Sequence, residues 1–184
     1  MSNQTRFFEE YFEALSQRLR DASAGELDAL CRTLTGARER GRKIILAGNG
    51  ASAAIASHVA VDLTKASGIR AVNFNEADLI TCLSNDYGYE NWIARAIEFY
   101  GVEGDIVLLI SSSGKSQNVV NAATGAREHG LEVITLSGFD ADNPLRALGT
   151  LNLWVNSRSY NIVEMTHQSW LLAAIDRISS SDRS

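Results

Sequence analysis

The stretch "GDIVLLISSSGKSQNVVNAATGAREHGLEVITLSG" (residues 104–138) contains two apolar runs separated by a polar turn and a longer segment. Residues 105–110 and 131–138 are short and almost continuously apolar, which is typical of strands buried on both faces. The segment 116–130 between them fits a helix. A strand, a helix and a second strand in this order predict a pair of parallel strands.

The same alternation continues on both sides of this stretch. Further strands are predicted at 43–50, 69–74 and 151–155, and further helices at 5–20, 25–40, 51–68, 76–101 (two helices) and 160–178. We therefore expect an α/β fold, a three-layer sandwich with a central five-stranded parallel sheet. A single domain over residues 1–184 is expected, with N-terminal helices at 1–41 and an α/β core at 42–184.

Composition limits the partners of this chain. Seventeen Lys and Arg against 22 Asp and Glu give a net charge of −5, and no concentrated basic patch is present, so we expect no nucleic-acid partner. No apolar run approaches the roughly 18 residues that span a membrane. The N-terminus lacks a secretory signal, and Cys31 and Cys82 are too few for a disulfide framework, so a cytoplasmic location is expected.

Two turns follow buried strands and have a similar composition. "GNGAS" (48–52) follows one strand and "SSSGKS" (111–116) follows another, and each precedes a helix. Helix N-termini present free N–H groups, and hydroxyls add hydrogen-bond donors, so the pattern favours an anion site. Capping of the next helix is the simpler alternative, but one serine would suffice for it. The sequence predicts a site for a phosphate monoester.

Nucleotide-binding motifs are excluded by position. A P-loop requires glycine five residues before Gly114, where the chain has Leu109, and the dinucleotide fingerprint requires glycine where the chain has Ala53. A bound nucleotide is therefore not expected.

Three segments resemble the sugar isomerase (SIS) domain, and within it the phosphoheptose isomerases: "AGNGASAAIASHVAVDLT" (47–64), "LSNDYGY" (83–89) and residues 104–138. The resemblance implies a flavodoxin-like fold and a homotetramer with active sites between subunits. It implies that the phosphate is bound by the serine turn and the sugar by the first turn, with one acidic residue nearby. In this sequence these positions are Ser111, Ser112, Ser113 and Ser116, then Asn49, Gly50 and Ser52, and finally Asp86.

Two pairs of ionisable residues are candidates for acid–base chemistry. His58 and Asp62 lie four residues apart on a helix that is otherwise mostly small or apolar, so they share a face. Glu164 and His167 lie three apart on the last helix and also share a face. A surface pair is the alternative for His58 and Asp62, and a hydrogen-bonded core histidine is the alternative for His167.

The family resemblance assigns roles to these residues, but the sequence departs from the family pattern at several positions. It implies that Asp62 is the general base, in place of the usual glutamate, and that a histidine of the last helix is the general acid. Val163 and Leu171 stand where the family has a glutamine and that histidine, so His167 is predicted to replace the acid. His58, Asp62, Glu164 and His167 would together make an N₂O₂ zinc site.

The predicted function is an aldose–ketose isomerase that converts sedoheptulose 7-phosphate to D-glycero-D-manno-heptose 7-phosphate for lipopolysaccharide or capsule. Two alternatives remain open from the sequence. One is a non-catalytic phosphosugar-binding module, such as a regulator that binds the replication initiator. The other is an isomerase of another sugar phosphate.

Overall fold

A computed structural model describes residues 3–181 of the chain. Residues 1–2 and 182–184 of the predicted single domain lie outside the described residues. In chain order the elements are α1 (Asn3–Arg18), α2 (Ala24–Glu39), β1 (Ile44–Gly48), α3 (Ala51–Ser67), β2 (Ala71–Asn73), α4 (Ala77–Tyr87), α5 (Trp92–Tyr100), β3 (Ile106–Ser111), α6 (Gln117–Glu128), β4 (Glu132–Ser137), β5 (Leu151–Trp154) and α7 (Tyr160–Ser181).

The five strands form one parallel sheet in the order β2-β1-β3-β4-β5. This confirms the predicted α/β class and strand number, and the order is that of flavodoxin-like folds. The direction of winding reverses between β1 and β3, which pair directly, with Gly48 opposite Ile110. In open parallel sheets a ligand crevice lies beyond the carboxyl ends of the strands at such a reversal. The glycine turn and the serine turn both begin at this point.

Helices cover both faces of the sheet, which confirms the three-layer arrangement. One buried cluster joins α2, α3 and α7 to the sheet through residues such as Leu34, Leu63 and Trp170. The other joins α4, α5 and α6 to the opposite face, with Ile93 and Ala122 fully buried. The strands are buried on both faces because their side chains alternate between the two clusters.

The first helix lies against the last one. Trp170 Nε1 donates a hydrogen bond to the carbonyl of Leu19, just after the end of α1. The outer side of α1 is apolar and uncovered in a single subunit, with Phe7, Phe8 and Phe12 between 56% and 62% exposed. An apolar face of this kind is characteristic of a protein-contact surface.

The main departures from the predicted elements are at the edges. Strand β2 spans only three residues, and a short 3₁₀ turn at Arg146–Leu148 was not predicted. None of the helices within residues 3–181 is long and apolar enough to cross a membrane.

Candidate functional site

The glycine turn after β1 and the serine turn after β3 lie side by side. Close approach requires glycine at the end of β1, because a Cβ on Gly48 would lie 2.8 Å from the carbonyl oxygen of Ile110. Gly50 and Gly114 have φ of +54° and +64°, a backbone region that glycine adopts without strain. Both turns are therefore built on positions where a side chain is unfavourable.

The two turns line a cavity of about 230 Å³ that opens to solvent. The seven residues that the sequence analysis assigned to the two turns all line it, namely Asn49, Gly50, Ser52, Ser111, Ser112, Ser113 and Ser116. Tyr160 and Glu164, from the first two turns of α7, complete the wall and were not predicted there. The structure thus brings together the predicted phosphate residues, although their role in binding stays a prediction.

The N-termini of two helices open into this cavity without side-chain caps. Helices α3 and α6 begin at its edge, and their N-cap residues, Gly50 and Ser116, make no side-chain capping bond. The Ser116 hydroxyl instead accepts a hydrogen bond from Ser111 Oγ at 3.2 Å. Free N–H groups at helix N-termini bind anions. The geometry therefore favours an anion site over the helix-capping alternative.

Buried amides hold the turns in place. Asn49 and Asn118 exchange two hydrogen bonds of 2.9 Å, which tie the glycine turn to the start of α6. Asn143, which is fully buried, donates to the carbonyls of Gly138 and Asp140 and lies against Gly114. Neither Asn118 nor Asn143 was predicted, because the bonds of Asn118 to Asn49 and the contact of Asn143 with Gly114 join segments distant in sequence.

The predicted site residue Asp86 lies outside the group that lines the cavity. It stands on an exposed position near the end of α4, where its carboxylate accepts a hydrogen bond from Asn85. Tyr89, three residues later, contacts a cavity residue, since its hydroxyl donates to Asn49 Oδ1 at 3.2 Å.

His58 and Asp62 do meet on one face of α3, as predicted. His58 Nε2 lies 3.1 Å from Asp62 Oδ2, and both side chains are partly exposed. The other ring nitrogen, Nδ1, lies 2.7 Å from the side-chain amide of Gln168 on α7. Because an amide N–H can only donate, Nδ1 accepts and Nε2 carries the proton that is donated to Asp62. Gln168 was missed because this contact depends on how α3 and α7 pack.

His167 does not reach the cavity. Its side chain is fully buried, and Nε2 donates to the carbonyl of Ser137 at 3.0 Å. Burial lowers the pKa of His167 to about 4, against a smaller opposing effect of that hydrogen bond. Nδ1 is buried without a hydrogen-bond partner among the described residues. This environment matches the core-histidine alternative, since a general acid must contact its substrate.

The four predicted zinc ligands do not form one cluster in a single subunit. Glu164 lines the cavity, His167 is buried beneath it, and His58 and Asp62 form a separate pair on α3. In the part of the chain that the structure describes, no group of three or more His, Cys, Asp and Glu side chains is close enough to hold a metal. A single subunit therefore does not form the N₂O₂ zinc site that the spacing predicted.

Comparisons with known proteins identify relatives of this chain. A family model described as the SIS domain matches residues 7–138. The phosphoheptose isomerase of Pelodictyon phaeoclathratiforme is 35% identical over 166 residues, which is 85% of this chain and 78% of that protein.

Two solved structures are similar over nearly the whole chain. The phosphoheptose isomerase GmhA from Neisseria gonorrhoeae has a TM-score of 0.87 at 26% identity and covers 97% of this chain and 100% of its own. A phosphoheptose isomerase from Francisella tularensis has a TM-score of 0.88 at 25% identity and covers 98% and 100%.

Proposed function

The chain belongs to the SIS domain family, and from this premise we propose that it is a phosphoheptose isomerase. It converts sedoheptulose 7-phosphate to D-glycero-D-manno-heptose 7-phosphate. The observation that carries the proposal is the cavity between the glycine and serine turns, where hydroxyls and the N-termini of two helices border the same small space. Hydrogen bonds to a charged group contribute about 1.5–3 kcal/mol each, enough for this cavity to hold one end of the sugar chain.

The reaction needs a base that removes a proton from the carbon beside the carbonyl and returns it to the carbonyl carbon, and an acid that protonates the carbonyl oxygen. Asp62 is the base in this proposal, and its carboxylate is already hydrogen-bonded to His58 Nε2. His58 takes the role of acid that the sequence analysis gave to His167, because it touches the base and is accessible. Asp62 removes a proton from C1 and returns it to C2, while His58 gives a proton to the carbonyl oxygen at C2 to form the enediol and takes one from the C1 hydroxyl as the aldehyde forms.

Helix rise places Asp62 far along α3 from the phosphate cavity of its own subunit. Asp62 stands eleven residues after Ala51, roughly 16 Å further along the axis of α3. This exceeds the length of an extended heptose phosphate. We therefore propose that each active site combines the cavity of one subunit with Asp62 of another in a homotetramer, with the exposed phenylalanines of α1 contributing to subunit contacts.

We also propose a zinc site, centred on His58 and Asp62 instead of the four residues that the sequence predicted. His58 and Asp62 are adjacent and accessible, whereas zinc sites use three or four protein ligands. One subunit thus supplies two zinc ligands, and the remaining ligands would come from a neighbouring subunit. A bound zinc ion would polarise the substrate carbonyl, but His58 would first have to release the Nε2 proton that it donates to Asp62, so zinc binding and the acid role of His58 are alternatives.

The product would be consumed in the cytoplasm by enzymes that build lipopolysaccharide or capsule heptoses. The direct test is an assay of purified protein with sedoheptulose 7-phosphate, followed by solvent-deuterium incorporation at C1 or C2. Turnover with deuterium incorporation supports the proposal. Binding of the sugar phosphate without deuterium exchange would instead identify a non-catalytic binding module.

A further inference from the structure

The wall of the phosphate cavity has an unusual charge for an anion site. Among residues 3–181, none of the side chains that line it is lysine, arginine or histidine, and one of them, Glu164, is a carboxylate. The nearest lysine of the serine turn, Lys115, is paired with Asp140 at 2.8 Å and does not line the cavity. An incoming phosphate is therefore met by neutral N–H and O–H groups and by one negative charge.

Glu164 also occupies a donor that the phosphate would use. Ser112 Oγ donates its proton to Glu164 Oε1 at 3.3 Å. A hydroxyl has one proton to donate, so Ser112 cannot donate to Glu164 and to a phosphate oxygen at once. Like charges in a partly enclosed cavity repel each other more strongly than in bulk water. For a phosphate ester that brings no donor of its own, Glu164 thus weakens binding in two ways.

A sugar phosphate differs from a simple alkyl phosphate because it brings hydroxyl donors on its carbon chain. When Ser112 turns to the phosphate, Glu164 loses its hydrogen bond, and a carboxylate accepts hydrogen bonds only. A hydroxyl on a carbon near the phosphate ester can replace the lost donor. Glu164 is on α7 and the phosphate-binding groups are on the two turns, so the carboxylate faces the phosphate from the side of the cavity formed by α7.

We propose that Glu164 is a specificity residue that makes this cavity prefer phosphate esters of polyols to phosphate esters that lack a second hydroxyl. The inference deepens the proposed function and rests on it for the identity of the cavity as the phosphate site. It assigns to Glu164 a contact with a substrate hydroxyl, in place of the zinc contact expected from its spacing to His167.

The test compares three ligands that share a phosphate: inorganic phosphate, propyl phosphate and glycerol 3-phosphate. Their dissociation constants are measured by ³¹P NMR titration on wild-type protein and on Glu164→Gln, which keeps the shape and can still accept from Ser112 but lacks the charge. Glu128→Gln, an exposed carboxylate at the far end of α6, is the matched control for net charge. Circular dichroism and melting temperature establish that each variant is folded.

In Glu164→Gln we expect inorganic phosphate and propyl phosphate to bind about three- to tenfold more tightly. The preference for glycerol 3-phosphate over propyl phosphate should shrink by a similar factor, and Glu128→Gln should match wild type. An unchanged preference in a folded Glu164→Gln protein overturns the inference. If Glu164→Gln does not fold, Glu164→Ala is measured under the same criteria.

The outcomes separate this inference from the proposed function. A protein that shows the shifted preference but no turnover of sedoheptulose 7-phosphate supports the role of Glu164 and contradicts the isomerase. A protein that turns over the sugar with an unchanged preference contradicts only the role of Glu164. Wild-type protein that binds none of the three ligands contradicts both.

Discussion

The amide of Gln168 lies 2.7 Å from Nδ1 of His58, on the side of the ring opposite Asp62. This contact fixes both the rotation of the imidazole and the nitrogen that carries its proton. It joins α7 to α3, two helices that are separated in the chain by more than ninety residues and packed together in one cluster. Gln168 is therefore a positioning residue for the proposed acid–base pair.

Gln168→Leu should lower kcat by about 10- to 100-fold, because misoriented catalytic groups lose that much. KM should change little, since Gln168 does not line the phosphate cavity. The control at the neighbouring position is Ser169→Ala, since the Ser169 hydroxyl donates to the carbonyl of Met165 within α7. Steady-state kinetics on the wild type and the two variants measures kcat and KM. Equal kcat values in all three proteins would show that Gln168 does not position the acid–base pair.

Asp62→Asn should reduce turnover by about 10²- to 10⁴-fold, the contribution of a positioned acid–base group. Binding of the substrate phosphate should persist, because the cavity is formed by other residues. The control is Asp176→Asn, an exposed carboxylate on α7. Isotope exchange and phosphate binding are measured on both, and undiminished exchange in Asp62→Asn would show that another group is the base.

Mixing two inactive variants tests whether active sites are shared between subunits. One variant is Asp62→Asn and the other is the double variant Ser111→Ala with Ser116→Ala. When they are coexpressed, about a quarter of the sites in randomly mixed oligomers would combine an intact aspartate with an intact serine turn. Activity should recover to that level, whereas a site formed within one subunit predicts no recovery.

Gly114→Ala should destabilise the serine turn. The position has a φ of +64°, and a Cβ there would overlap the buried side chain of Asn143. We expect a loss of about 1–3 kcal/mol in the free energy of unfolding and weaker binding of phosphate. Gly125→Ala, in the interior of α6 with only an ordinary 3.6 Å contact to Ala94, should be neutral or stabilising. Urea denaturation of the two variants distinguishes these effects.

The buried His167 makes stability depend on pH. Its pKa is lowered to about 4 in the folded protein from an ordinary 6.5, so the unfolded chain binds a proton first as the pH falls. The contribution of neutral His167 to stability is therefore fully present above pH 6.5 and is lost progressively as the pH falls from 6.5 to 4. The loss from this residue between pH 7 and pH 5 is about 2 kcal/mol.

His167→Gln removes this titration while keeping a donor for the carbonyl of Ser137. The difference in unfolding free energy between pH 7 and pH 5 should shrink by about that amount in the variant. Denaturant unfolding at the two pH values measures it. An identical pH dependence would show that His167 is not held neutral by burial.

Much of the fold follows from local sequence pattern. The strands were recognisable because a strand covered on both faces has an uninterrupted apolar run. The two turns were recognisable because glycine and serine are needed where an anion approaches the backbone. The seven cavity residues from these turns needed no knowledge of distant contacts, since both turns lie at the carboxyl ends of neighbouring strands.

The residues that were missed or misplaced depend on tertiary packing. Spacing placed Glu164 and His167 on one helical face, but positions three apart still differ by about 60° around the axis. In α7 that difference separates a side chain in the cavity from one buried against the end of β4. Gln168 and Asn118 likewise have no local signal, because their partners lie on other elements.

The absence of cationic side chains from the cavity lining has a kinetic consequence. With a chain of net charge −5, long-range attraction does not guide a dianionic sugar towards the site, so capture depends on random encounter and on short-range donors. The association rate should therefore stay level or increase slightly as ionic strength increases, whereas an enzyme that draws in its substrate with lysines and arginines slows under the same conditions.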